Sequence, residues 1–237
     1  LLFDNLQTRY WVRYLSLKKQ IMKVKMSIRQ KMLINILTTT VVIFAISVLA
    51  FNNKDLFNKY LYSPYLIWRN KEWHRLLTAG FLHANWGHLL INLFVFWQFG
   101  SFLETAYVGV FGKFGSMLFV SVLFFGGIVV ANLPALFRHK KDMYFKSIGA
   151  SGGVSAVLFS YILINPWSKL YLYFVLPLHS IVVGILFLAY SWWASKNKRD
   201  NIDHLAHFWG SVFGILFTIL AYPESLRIFW QQILSQF

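Results

Sequence analysis

Residues 84–103 read ANWGHLLINLFVFWQFGSFL, twenty positions without a charge that carry His88 and Asn92 one helical turn from their start. A helix needs about 20 apolar residues to cross roughly 30 Å of hydrocarbon, so this stretch reads as a membrane span. His88 and Asn92 are four apart and share one helical face. Histidine and asparagine are costly in lipid, which makes a functional use the first reading to weigh.

Outward from this stretch the pattern repeats. Uncharged runs occupy Leu33–Phe51, Ala84–Leu103, Phe114–Phe137, Ile148–Asn165, Leu170–Ser195 and His204–Tyr222. Pro134, Pro166 and Pro223 fall near or just beyond three of their ends. Only helices and closed barrels satisfy their backbone in lipid, and the runs lack the period-two alternation of a barrel. The expected class is all-α: a polytopic bundle of six transmembrane helices. Composition agrees, with 57% hydrophobic and only 13% charged residues in a chain of 237. No cysteine is present, which excludes a disulfide framework and thiolate chemistry.

Three regions are expected: a basic leader over 1–32, cytoplasmic or interfacial; the membrane domain over 33–222; and a short tail over 223–237. The net charge of +15 is not the footprint of a nucleic-acid binder. Eight of the 23 Lys and Arg residues fall in the first 32 positions, beside the first span, where anionic headgroups attract them. The others lie in or beside the loops. Residues 52–83 join the first two spans and are rich in aromatics (Tyr60, Tyr62, Tyr65, Trp68, Trp73), side chains suited to the interfacial layer. Lys and Arg divide 11 against 12 between the two faces, so their count alone gives no orientation. The flank of the first span favours a cytoplasmic N-terminus.

Alternate spans run in the same direction, so the second, fourth and sixth share one face for their first turns. Those turns contain His88 and Asn92; Gly149-Ala150-Ser151-Gly152-Gly153; and Ala206-His207-Phe208-Trp209-Gly210. Nucleophilic catalysis is the simplest reason to bring a serine, a histidine and two further polar side chains to one depth. A serine needs an adjacent base, and neutral imidazole is the usual one near pH 7. Ser151 sits where a helix begins, with free N–H groups for a developing oxyanion. His88 and Asn92 supply further donors. The plainer readings are a small-residue packing seam for the Gly-Ala-Ser-Gly-Gly run and an interhelical polar clamp for His88 and Asn92. Ala206, Gly210 and Gly214 recur every four residues and let another helix approach closely. Asp203 precedes His207 by four and is expected to cap the sixth span in solvent rather than complete a triad.

Zinc is the competing use of His83, His88, His204 and His207, which share one side. No carboxylate cluster or His-Glu-x-x-His run accompanies them, and zinc leaves Ser151 without a role. No metal and no cofactor are therefore expected.

At these residues the chain resembles the rhomboid family of intramembrane serine proteases. The likeness runs over about Leu33–Tyr222 and rests on His83, His88-Leu-Leu-Ile-Asn92, Gly149-Ala150-Ser151-Gly152, and Ala206-His207-Phe208-Trp209-Gly210 with Gly214. It implies Ser151 as nucleophile, His207 as general base, and His88, Asn92 and the Ser151 backbone as oxyanion hole. His83, Gly149, Gly152, Gly210 and Gly214 are implied in support. The implied substrates are transmembrane proteins in the lipid bilayer, and the implied location is a multi-pass protein of a bacterial inner membrane with a cytoplasmic N-terminus. A catalytically inactive rhomboid-like binding protein is the alternative, although such proteins usually lose the serine or the histidine. Two positions depart from the family pattern: Trp73-His74-Arg75 stands where Trp-Arg is usual, and Glu104 is followed by Thr105 and Ala106.

Overall fold

The computed structural model describes residues 35–172, 175–197 and 202–236. The basic leader expected over 1–32 and the start of the first span at Leu33 lie outside the described residues.

Among the described residues the elements follow in order: α1 (Asn35–Phe51), α2 (Lys54–Tyr60), α3 (Pro64–Asn70), α4 (Arg75–Thr78) running into a 3-10 turn (Ala79–Phe81), α5 (Trp86–Ala106), α6 (Val108–Arg138), α7 (Ser151–Ile164), β1 (Lys169–Leu172), β2 (Leu176–His179), α8 (Ser180–Asn197), α9 (His204–Ala221) and α10 (Glu224–Leu234). The six long helices α1 and α5–α9 occupy the six apolar runs. Three of them (α5, α6 and α9) are by themselves long and apolar enough to cross a membrane. The described part of α1 and the 14 residues of α7 are apolar but shorter. At 1.5 Å per residue α7 is about 21 Å long, short of about 30 Å of hydrocarbon, so one of its ends starts inside the layer.

Several boundaries differ from the expected ones. The fifth run does not form a helix from Leu170. Residues Lys169–Leu172 and Leu176–His179 pair as an antiparallel hairpin, and α8 begins only at Ser180. Pro177 has no N–H to give a helix ladder, but it sits without penalty on an edge strand. The third run starts close to the expected Phe114: a short helical turn from Val108 is broken at Gly112, whose φ of 69° only glycine adopts freely, and the long part of α6 follows it. The tail contains a helix, α10, tied to the bundle where Trp167 Nε1 donates to the Gln232 carbonyl and Gln232 Nε2 to that of Ile164.

The core sits between α5, α6, α7 and α9, with Phe96, Leu103, Val120, Leu123, Phe124, Ile128 and Val157 among its buried side chains. α7 is central: Gly152 to Val157 are all buried. Lipid tails are as apolar as leucine, so burial alone does not hold such helices together; close backbone approach and hydrogen bonds do. Both are present. A Cβ on Gly152 would lie 2.5 Å from that of Ala131 on α6, and the hydroxyls of Thr218 on α9 and Ser160 on α7 are hydrogen-bonded at 2.7 Å.

The segment between α1 and α5 folds around Arg75. Its guanidinium is buried and its Nη1 donates to the carbonyls of Asn58 and Leu61, each at 2.8 Å, while Nε donates to Glu72 at 2.6 Å. The histidine inserted before this arginine leaves the anchoring intact. Glu104 does not follow the second span; it lies inside α5, is buried, and accepts from Asn35 on α1 at 3.4 Å.

Candidate active site

The first turns of α5, α7 and α9 meet at one end of the bundle. Asn85 caps α5 by accepting from the His88 backbone N–H at 2.9 Å, which fixes His88 in the first turn. Asn92, one turn on, is buried and spends one amide hydrogen on the His88 carbonyl at 2.8 Å; an amide has a second, for which no partner is found among the described residues.

Gly149 enters α7 with φ of +118° and donates its N–H to the Ala79 carbonyl at 3.0 Å, lashing the turn before α7 to the 3-10 turn. A Cβ at this position would stand 2.6 Å from His88 Cε1 and 2.9 Å from His88 Nε2. Glycine is needed both for the angle and for the space. Ala150 caps α7 without a side-chain bond, and Ser151 is its first helical residue. The N–H groups of an uncapped first turn point outward without intrahelical partners, at the positive end of the helix dipole.

α9 presses its start against that of α7. A Cβ on Gly210 would collide with the Gly152 carbonyl oxygen and lie 2.9 Å from Gly152 Cα; one on Gly214 would collide with the Ala156 carbonyl oxygen. His207 stands one turn before Gly210, its ring lying over Phe187 of α8 with centroids 5.8 Å apart. Ser151, Gly149, Gly152, Asn132, Asp203 and Ala206 all line one cavity of about 10 Å³, room for about one water. A second cavity, of about 420 Å³, adjoins it through Ser147 and Asp203 and extends to Arg138, Tyr144 and Lys146. Asp203 caps α9, its carboxylate accepting from the Ala206 N–H at 3.0 Å. The expected solvated cap is only half right. The other oxygen, Oδ2, is buried without a hydrogen-bond partner among the described residues.

Ser47 of α1 carried no signal in the sequence. It is fully buried and reaches His83, behind His88, at 2.8 Å. Nothing in a lone serine within an apolar run distinguishes it before the helices are packed. The four histidines weighed as a zinc set form two pairs, with ring centroids 4.9 Å apart for His83 and His88 and 6.1 Å for His204 and His207. Among the described residues no group of three or more His, Asp or Glu is arranged to hold a metal ion.

These features define a helical membrane protein with polar side chains gathered where the first turns of three helices meet at one end of the bundle. A family profile described as Rhomboid domain matches residues 70–224. The chain belongs to the rhomboid family. It is 30% identical over 169 residues to "Rhomboid-like protein 11, chloroplastic" of Arabidopsis thaliana, which covers 65% of this chain and 54% of that protein. It is 28% identical over 148 residues to "Rhomboid protein 1, mitochondrial" of Saccharomyces cerevisiae, covering 60% and 40%. It is 26% identical over 166 residues to "Rhomboid-related protein 1" of Caenorhabditis elegans, covering 67% and 42%. The chain spans about half the length of the curated relatives it matches. It is an integral membrane protein. Where these relatives' names give a compartment it is the chloroplast or the mitochondrion, so they lend no support to the bacterial inner membrane expected from the sequence.

Proposed function

We propose that this chain is an intramembrane serine endopeptidase that hydrolyses peptide bonds in or near transmembrane segments of other membrane proteins. In this reading His207 takes the proton from Ser151 Oγ, which attacks the scissile carbonyl carbon. Negative charge moves to the carbonyl oxygen, held by the Ser151 backbone N–H, the His88 imidazole and the second amide hydrogen of Asn92. The C–N bond then breaks, with the proton on His207 passing to the leaving amine. Water repeats the sequence on the acyl-enzyme and frees the acid and Ser151. Gly149 and Gly152 support the turn and the approach of α9, as do Gly210 and Gly214 from the other side.

The observation that carries this reading is the Gly152–Gly210 contact, which seats the start of α7 against the turn bearing His207, beside a cavity that Ser151 lines. The larger neighbouring cavity supports entry of an extended segment. A helix hides its carbonyls in i→i−4 bonds, so the substrate must unwind before it is cut, and glycine or other weak helix formers near the cut favour that.

The site face is proposed to open on the side of the membrane opposite the N-terminus. Cleavage of a single-span reporter by the purified protein, with and without Ser151→Ala, tests the assignment. Ser151→Ala is expected to abolish cleavage with expression intact; persistent cleavage rejects it. Labelling by a fluorophosphonate probe separates an active protease from an inactive relative that only binds membrane proteins.

A further inference from the structure

Behind the proposed oxyanion hole lies a buried pair that the reaction scheme does not use. Ser47, on α1, has its Oγ 2.7 Å from the Phe81 carbonyl oxygen and 2.8 Å from His83 Nδ1. A hydroxyl has one hydrogen. The carbonyl can only accept, so the hydrogen goes to Phe81, and Ser47 Oγ must accept from His83. That assigns the hydrogen of the neutral His83 ring to Nδ1 and leaves a lone pair on Nε2. The ring is completely buried, and Nε2 has no hydrogen-bond partner among the described residues. Its ring meets that of His88 edge-on, with centroids 4.9 Å apart and planes at 70°. His88 in turn packs on Gly149, where its Nε2 and Cε1 occupy the space a side chain would fill.

We propose that Ser47 and His83 are positioning residues for His88: Ser47 of α1 locks the tautomer and orientation of the His83 ring, and that ring, in edge-on contact with His88, holds the His88 imidazole against Gly149 with an N–H toward the oxyanion. The inference rests on the protease reading above. Its physical basis is that the Ser47 hydrogen bonds lock a fully buried His83 ring, and a locked neighbour in edge-on contact restricts the orientations open to His88. A loosened oxyanion donor weakens the transition state more than the bound substrate, so the effect falls on kcat rather than on KM. α1 thereby becomes part of the catalytic apparatus although it lends no group to the substrate.

The test is steady-state cleavage of a single-span reporter by the full chain in detergent, with Ser47→Ala, Ser47→Thr and His83→Phe. Ser47→Ala is expected to lower kcat on the order of 5-fold, the worth of one neutral hydrogen bond, with KM unchanged. Fluorophosphonate labelling of Ser151 should slow in parallel, because that reaction uses the same hole. Ser47→Thr keeps the hydroxyl and is expected to recover most of the rate. In a His88→Ala background, Ser47→Ala should have no further effect. A kcat indifferent to Ser47→Ala overturns the inference, as does a loss that persists in the His88→Ala background. If Ser47→Ala does not fold, His83→Phe, which keeps the ring volume and removes both nitrogens, is read against the same outcomes. Ser151-dependent cleavage by the unsubstituted chain separates the two levels. Without it the protease reading fails; with it and an indifferent Ser47→Ala, only the positioning role fails.

Discussion

The imidazole of His88 occupies the space that a side chain at position 149 would need: a Cβ built on Gly149 lies 2.6 Å from His88 Cε1 and 2.9 Å from Nε2. The same glycine has φ of +118°, a region that side chains with a Cβ rarely enter. One backbone position thus sets both the entry of the chain into α7 and the placement of a proposed oxyanion donor on α5. Gly149→Ala is therefore expected to displace His88 and lower kcat by roughly 10²–10³, the usual cost of one oxyanion donor. Reporter cleavage and fluorophosphonate labelling check this together; an alanine enzyme with normal kcat would show that His88 is not a donor.

His207→Ala and Ser151→Ala, made singly and together, should show strong non-additivity. If the two groups act as one unit, removing either removes nearly all that the pair provides, and the double variant is no slower than the worse single one. Reporter cleavage rates measure it. Additive losses would mean that the two residues work independently.

Gly210→Val is expected to push α9 away from α7, because the added atoms collide with the Gly152 carbonyl. Overpacking of this kind typically costs about 1–3 kcal/mol. Thermal unfolding in detergent should report a lower midpoint, and activity should fall further than stability alone explains, since the start of α7 moves away from the turn bearing His207. A valine variant with unchanged midpoint and rate would contradict the packing described.

The Arg75 anchor supplies a pH prediction. The Glu72 carboxyl, between the first two spanning helices, is held below the ordinary glutamate value of about 4.3, first by the Asn70 amide hydrogen bond and then by Arg75. A depressed folded value means that this support is fully present above about pH 4.3 and is lost as pH falls through the lower folded value. Hydrogen exchange across α2–α4 should therefore stay flat from neutral pH to about 4.3 and rise below it, after correction for the intrinsic rate. Glu72→Gln should remove that rise. An identical rise in the Gln variant would place the sensitivity elsewhere.

Arg75→Lys is expected to loosen the same segment. A single ammonium does not reproduce a planar fork that reaches two carbonyls and a carboxylate at once. Limited proteolysis of the 52–83 segment measures it, and protection equal to that of the unsubstituted chain would refute it.

Much of the site is legible in the chain because lipid penalises polar groups. His88, Asn92 and His207 stand out from apolar runs, and the regular alternation of spans puts their turns, with Ser151, at one end. The Asp203 cap is likewise local chemistry, readable from its place before His204. The hairpin at 169–179 is not, since its apolar residues carry no period that separates a short strand from the start of a helix. Nor are the helices α2–α4, whose arrangement depends on where one buried guanidinium finds carbonyls from distant turns. The break at Gly112 also needs its φ to be seen.

The sequence by itself determined that the protein lies in a membrane, which stretches hold its long apolar helices, and which polar side chains stand near the starts of three of them. Those properties follow from transfer energies and helical period, which act on neighbours along the chain. The tertiary structure decided which surfaces touch: Gly152 against Gly210, His88 against Gly149, Ser47 against His83. Contacts between residues 36 to 61 positions apart depend on how whole helices pack, and that is fixed by all their side chains at once.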